Sequence, residues 1–122
     1  MVKEKDRKIE QLLDVILEGI ERKKGIDTVK IDLTKINHSE CSYFIICHGN
    51  STTHANAIAQ SVEETVSELL EEQAWHKDGY QNSIWILLDY AEIMVHVFHH
   101  EARVFYDIEN LWADAPIEKL TR

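Results

Sequence analysis

At 122 residues, with 44% hydrophobic and 29% charged side chains, the chain has ordinary globular composition. Its length is that of one domain able to bury a core without disulfides or metals, read here as a single unit over 1–122. A net charge of −9 excludes the positive footprint that broad DNA or RNA binding needs, so little or no RNA contact and no DNA contact are expected, while a basic protein partner is allowed.

Residues 3 to about 24 are predicted to be a helix. Ile9, Leu12, Leu13, Ile16, Leu17 and Ile20 form one apolar stripe, and Arg22, Lys23, Lys24 and Gly25 suit its end. Thr28 to Leu33 alternates as a strand with one wet side, and Thr34 to Glu40 reads as a polar loop. Cys41 to His48 is a second strand, apolar on both faces and therefore central. In such a strand Cys41 and Cys47 share a face roughly 20 Å apart, too far for a bridge, and read as buried thiols. Gly49-Asn50-Ser51-Thr52 breaks the strand, and Ser51 or Thr52 caps a helix running to about Glu72.

Residues 74–77 read as a short strand, and 78–83 as a loop of turn formers. Ile84 to Phe98 is a hairpin about Tyr90-Ala91-Glu92. Ile84, Ile86, Leu88 and Tyr90 point one way, and Trp85, Leu87 and Asp89 the other; Ile93, Val95 and Val97 oppose Met94, His96 and Phe98. Both faces are largely apolar, so something must cover each. Residues 101–106 and 107–112 suggest one or two short helices, Pro116 ends order, and 117–122 are expected to be a loose tail. The order α-β-β-α-β-β-β-α predicts an α/β, α+β-like fold: a mixed five-stranded sheet with two long helices on one face. The crossover helix after the second strand implies a parallel pair. The short remaining elements leave part of the other face open, and an open apolar patch of that size is an interaction surface.

Chemistry is harder to find. The Gly49-Asn50-Ser51 turn resembles the first motif of nucleotidyltransferases, but no Asp-x-Asp or Asp-x-Glu follows to hold magnesium. Glu63 and Glu64 lie too far along the helix, and Asp89 and Glu92 have no third partner. Seven histidines include no His-Glu-x-x-His, and His96 reads as a hydrogen-bonded structural histidine. Cys47 and His48 point to opposite faces, and Ser51 and His54 have no acid to orient them. No catalytic, metal or cofactor site is expected. No apolar run reaches the roughly 18 residues of a membrane span, and the mixed-charge start leads into no signal-peptide core, so the cytoplasm is the expected compartment.

Cys41-Ser42-Tyr43-Phe44-Ile45-Ile46-Cys47-His48-Gly49-Asn50-Ser51, His54 and Ile58-Ala59 resemble the first half of the Iojap family, the ribosomal silencing factors (RsfS). Trp85 to Tyr90, Val95 to Phe98, Arg103, Phe105-Tyr106 and Leu111 to Ala115 resemble the second half. The resemblance spans Ile9 to Pro116. It implies a nucleotidyltransferase-like fold without catalytic carboxylates. It also implies binding to the fourteenth protein of the large ribosomal subunit (uL14) at the face that meets the small subunit. Such binding blocks subunit joining and lowers translation when nutrients are short; organellar relatives act in large-subunit assembly. Two departures stand out: Ala91 where the family usually has glycine, and Ile84 where an acidic or polar residue commonly precedes the tryptophan.

Aromatics and arginine anchor interfaces, which selects Trp85, Tyr90, Arg103, Tyr106 and Trp112, with Leu87, Asp89 and His96 beside them. Each also has an internal role open to it: Trp112 packing its helix on the sheet, Arg103 pairing with a nearby acid, Asp89 accepting turn N–H groups. A nucleotide-binding enzyme and a homodimer closing the apolar face are the alternatives.

Overall fold

The computed structural model describes residues 4–36 and 41–120. Helix α1 (Glu4–Arg22) buries Ile9, Leu12, Ile16, Gly19 and Ile20, the stripe its spacing predicts. Helix α2 (Thr52–Leu70) buries Ala55, Ile58, Ala59, Val62 and Val66. The two helices touch closely at Gly19, where an added Cβ would stand 2.8 Å from the Val62 Cα; the Ser61 hydroxyl donates to the Gly19 carbonyl at 2.7 Å.

The strands are β1 (Ile26–Asp32), β2 (Tyr43–Gly49), β3 (His76–Asp78), β4 (Trp85–Asp89), β5 (Ile93–His99) and β6 (Ile117–Lys119), with the short helices α3 (His100–Tyr106) and α4 (Ile108–Leu111) between the last two. They form one mixed sheet in the order β3-β4-β5-β2-β1-β6. The parallel pair is β2 with β5, not β2 with the next strand in sequence. The α2 crossover carries the chain to the far edge, and the hairpin then returns β5 to the sheet centre.

The sheet has six strands where five were expected. The sixth comes from the segment read as a tail: Ile117, Glu118 and Lys119 pair antiparallel with Ile31, Lys30 and Val29. Backbone bonds from Asp32 to Pro116 and from Leu120 to Thr28 extend the pairing. Pro116 lies past the end of α4 at Leu111 and suits entry to an edge strand, since its missing N–H is not needed there. Residues 121–122, and 37–40 of the expected loop, lie outside the described residues.

Helices α1 and α2 cover one face, over Ile45, Cys47, Ile86, Leu88, Tyr90, Ile93, Val95 and Val97. On the other, Val29, Ile31, Leu33, Ile46 and Phe98 pack with Ala102, Ile108 and Ala115 from the C-terminal segment. The cysteines do not share a face. Cys47 packs under the helices and Cys41 against the opposite cluster, because regular strand geometry starts only at Tyr43 and strand parity cannot be counted back to Cys41. Burial pushes the Cys47 thiol up to about 12, far from a reactive thiolate.

Candidate functional site

Register fixes what the face away from α1 and α2 presents. Trp85, Leu87 and Asp89 on β4 lie beside Phe98, His96 and Met94 on β5, which in turn lie beside His48, Ile46 and Phe44 on β2. Helices α3 and α4 cover the His48 end. Toward the hairpin turn the face stays open: Phe44, Trp85, Leu87, Asp89 and Met94 are half-buried.

An aromatic array holds this surface. Trp85 packs against Phe98 and Tyr106, each at 4.9 Å between ring centroids, and Trp112 meets Phe44 edge-on at 5.6 Å. The Trp85 indole N–H donates to His96 Nδ1 at 3.1 Å, which leaves the ring proton on Nε2. His96 is buried, and that Nε2–H has no partner among the described residues. Desolvation lowers its pKa to about 4, so it is neutral near pH 7.

The structure thus brings together Trp85, Leu87, Asp89, His96, Tyr106 and Trp112. It separates Tyr90 and Arg103 from them. Tyr90 lies under the helices, 5% exposed, as its alternation with Ile86 and Leu88 requires. Arg103 is 9% exposed and works internally. Its guanidinium donates to both Glu109 carboxylate oxygens (2.9 and 3.2 Å), to the Ile26 carbonyl (3.3 Å) and to His48 Nδ1 (2.9 Å). His48 falls to about 4 through desolvation and the neighbouring guanidinium.

Asp89 resolves toward its internal role. Oδ1 accepts the Ala91 N–H at 2.8 Å and so holds the turn, in which Glu92 N–H bonds the Tyr90 carbonyl. Ala91 has φ 70, a conformation that favours glycine. Asp89→Ala is therefore expected to lower stability by about 1.5 kcal/mol, the worth of one charge-assisted hydrogen bond. Urea denaturation measures it; an unchanged midpoint would show that the turn does not need the carboxylate.

Beside Tyr106, helix α3 also leaves outward Val104 and Phe105, which the choice of interface residues from sequence passed over. Ala102 and Arg103 face in, so Val104, Phe105 and Tyr106 face out, with Phe105 80% exposed and in edge contact with Tyr106. Two adjacent aromatics after a buried pair were the available signal. The Gly49-Asn50-Ser51 turn is occupied by its own structure. Ser51 caps α2 by accepting the His54 N–H, and the His54 ring accepts from Asn50 N–H and donates to the Lys23 carbonyl. Among the described residues no three His, Cys, Asp or Glu side chains are placed to hold a metal.

Fold and face together define an α+β domain with one side of the sheet covered by two long helices and the other a partly open aromatic surface. The chain belongs to the RsfS family, described as ribosomal silencing factor during starvation, whose model matches residues 6–122. Ribosomal silencing factor RsfS from Halalkalibacterium halodurans is 33% identical over 91% of this chain and 93% of its own length. The protein of that name from Bacillus subtilis is 33% identical, covering 89% and 91%. A crystal structure of a Chromobacterium violaceum protein superposes with a TM-score of 0.80 at 30% identity, over 86% of each chain.

Proposed function

We propose that this protein is a non-catalytic ribosomal silencing factor that binds the fourteenth protein of the large ribosomal subunit through the open aromatic face. Bound there, it blocks the small subunit sterically and represses translation under nutrient limitation. The observation that carries this reading is the family match across nearly the whole chain. The open face supplies a surface of the right chemistry, with Trp85 and Leu87 half-buried and Tyr106 exposed on a chain of net charge −9. An acidic domain with aromatic anchors suits a basic ribosomal protein better than phosphate. The turn that resembles a nucleotidyltransferase motif spends its polar groups on capping α2 and, through His54, on tying it to Lys23 just after α1, which favours binding over catalysis. No helix among the described residues is long and apolar enough to cross a membrane, consistent with work in the cytoplasm.

Tyr106 is half-exposed and rests on Trp85, so truncating it removes an anchor and spares the core. Co-sedimentation with purified subunits should place the protein on large subunits and not on small ones. Tyr106→Ala should weaken that binding roughly 30-fold, about 2 kcal/mol. Binding to neither subunit would overturn the proposal.

A further inference from the structure

His96 carries a cost that packing does not explain. Its side chain is 6% exposed, and its Nε2–H is left unpaired among the described residues. A buried donor without a partner disfavours folding, and a hydrocarbon ring in the same place would have none. What the imidazole supplies instead is an acceptor, Nδ1, which takes the Trp85 indole N–H at 3.1 Å. Burial keeps the ring neutral near pH 7, so Nδ1 keeps its lone pair.

The surroundings fix His96 and leave Trp85 a choice. His96 sits between Phe44, edge-on at 4.6 Å, and Phe98, stacked at 6.3 Å, with Leu87 opposite it on β4. Trp85 is half-buried, directly opposite Phe98 and one diagonal step from His96. Its tilted contacts with Phe98 and Tyr106 hold the plane of the indole but involve no polar group. The second side-chain torsion of an aromatic residue is broad and roughly twofold. A flipped ring would keep much of that stacking and turn the N–H outward. The bond to His96 distinguishes the two orientations.

We infer that His96 is a positioning residue for Trp85: it holds the indole N–H inward, so that Trp85 meets its partner with carbon alone. This role rests on the reading of the face as the ribosome contact, and it narrows the chemistry that Trp85 accepts. An indole without a free N–H offers nothing to a phosphate or carbonyl oxygen. It packs well against an apolar side chain or the cation of lysine or arginine. That is the surface of a basic protein rather than of RNA.

Two isosteric variants separate the acceptor from the shape. Asparagine and leucine both branch at Cγ and end one atom later, where Nδ1 stands, and only asparagine has an oxygen to place there. Binding to purified large subunits should weaken about twofold in His96→Asn and about twentyfold in His96→Leu, a gap the size of one neutral hydrogen bond. With Trp85→Phe as the background, which removes the indole N–H, the two should bind alike. Equal affinity of the two variants beside Trp85 would overturn the role, as would a gap that persists in the Trp85→Phe background. The parent chain supplies a check that needs neither a variant nor a ribosome. By NMR, its Trp85 indole N–H should exchange with solvent roughly tenfold more slowly than that of Trp75, which is 75% exposed. Equal exchange rates would also overturn the role. A parent that binds no large subunits would end the ribosome reading and this role with it, whereas a parent that binds, with asparagine and leucine equivalent at position 96, would end the role alone.

Discussion

Arg103→Met is expected to lower the unfolding free energy by about 3 kcal/mol and the melting temperature by roughly 10 °C. The guanidinium is buried and joins four elements: α3, on which it sits, Glu109 on α4, Ile26 on β1 and His48 on β2. Methionine replaces its length but none of its donors. Glu109 is left as a partly buried carboxylate without its counter-charge, and the Ile26 carbonyl loses its side-chain donor. Breaking a buried pair on one side costs more than removing both partners, because the surviving charge stays desolvated. Adding Glu109→Gln to Arg103→Met should therefore recover part of the loss, and thermal unfolding of the parent, the single variant and the double variant measures it. Because Arg103 anchors the helix that carries Tyr106, the single variant should also bind large subunits more weakly at a temperature where it remains folded. A melting temperature within about 2 °C of the parent would mean that the cluster contributes little.

Acidification is expected to cost a similar amount through His96. Its folded pKa is about 4, against 6.5 ordinarily, because burial disfavours the imidazolium. The unfolded state binds the proton more readily, so the contribution is fully present above pH 6.5 and is lost as pH falls through 6.5 toward 4. At 1.36 kcal/mol per pH unit, that shift amounts to a loss on the order of 3 kcal/mol at pH 4. His48, lowered in the same direction, adds to the slope. His96→Phe preserves an aromatic ring in the array but cannot titrate. Urea unfolding between pH 7 and pH 4 should show the variant less stable than the parent at neutral pH, having lost the Trp85 hydrogen bond, yet with a slope shallower by up to one proton. Equal slopes would contradict a buried, neutral His96.

Most of the fold was legible because period decides it. The 3.6 spacing gave α1 and α2, and the period of two gave the hairpin and the faces of Trp85, Leu87 and Asp89. Tyr90 shows that parity outranks residue type: alternation with Ile86 and Leu88 put it under the helices, although its chemistry suggested an interface. Arg103 was legible as a charge with an acid nearby, but not as the joint among β1, β2 and α4, since His48 and Ile26 lie 55 and 77 residues away. Strand β6 was hidden for the same reason. Three residues after a proline carry no pattern of their own and become a strand only by pairing with β1.

The proposed function requires the aromatic face to meet the fourteenth protein of the large subunit. A photo-reactive side chain placed at Tyr106, on that face, and in a second preparation at Glu10, exposed on α1, provides the direct test. After irradiation with purified large subunits, the crosslinked peptides are identified. The predicted result is a crosslink from position 106 to the fourteenth large-subunit protein and none from position 10. A crosslink to that protein from position 10 alone, or from position 106 only to ribosomal RNA, would contradict it.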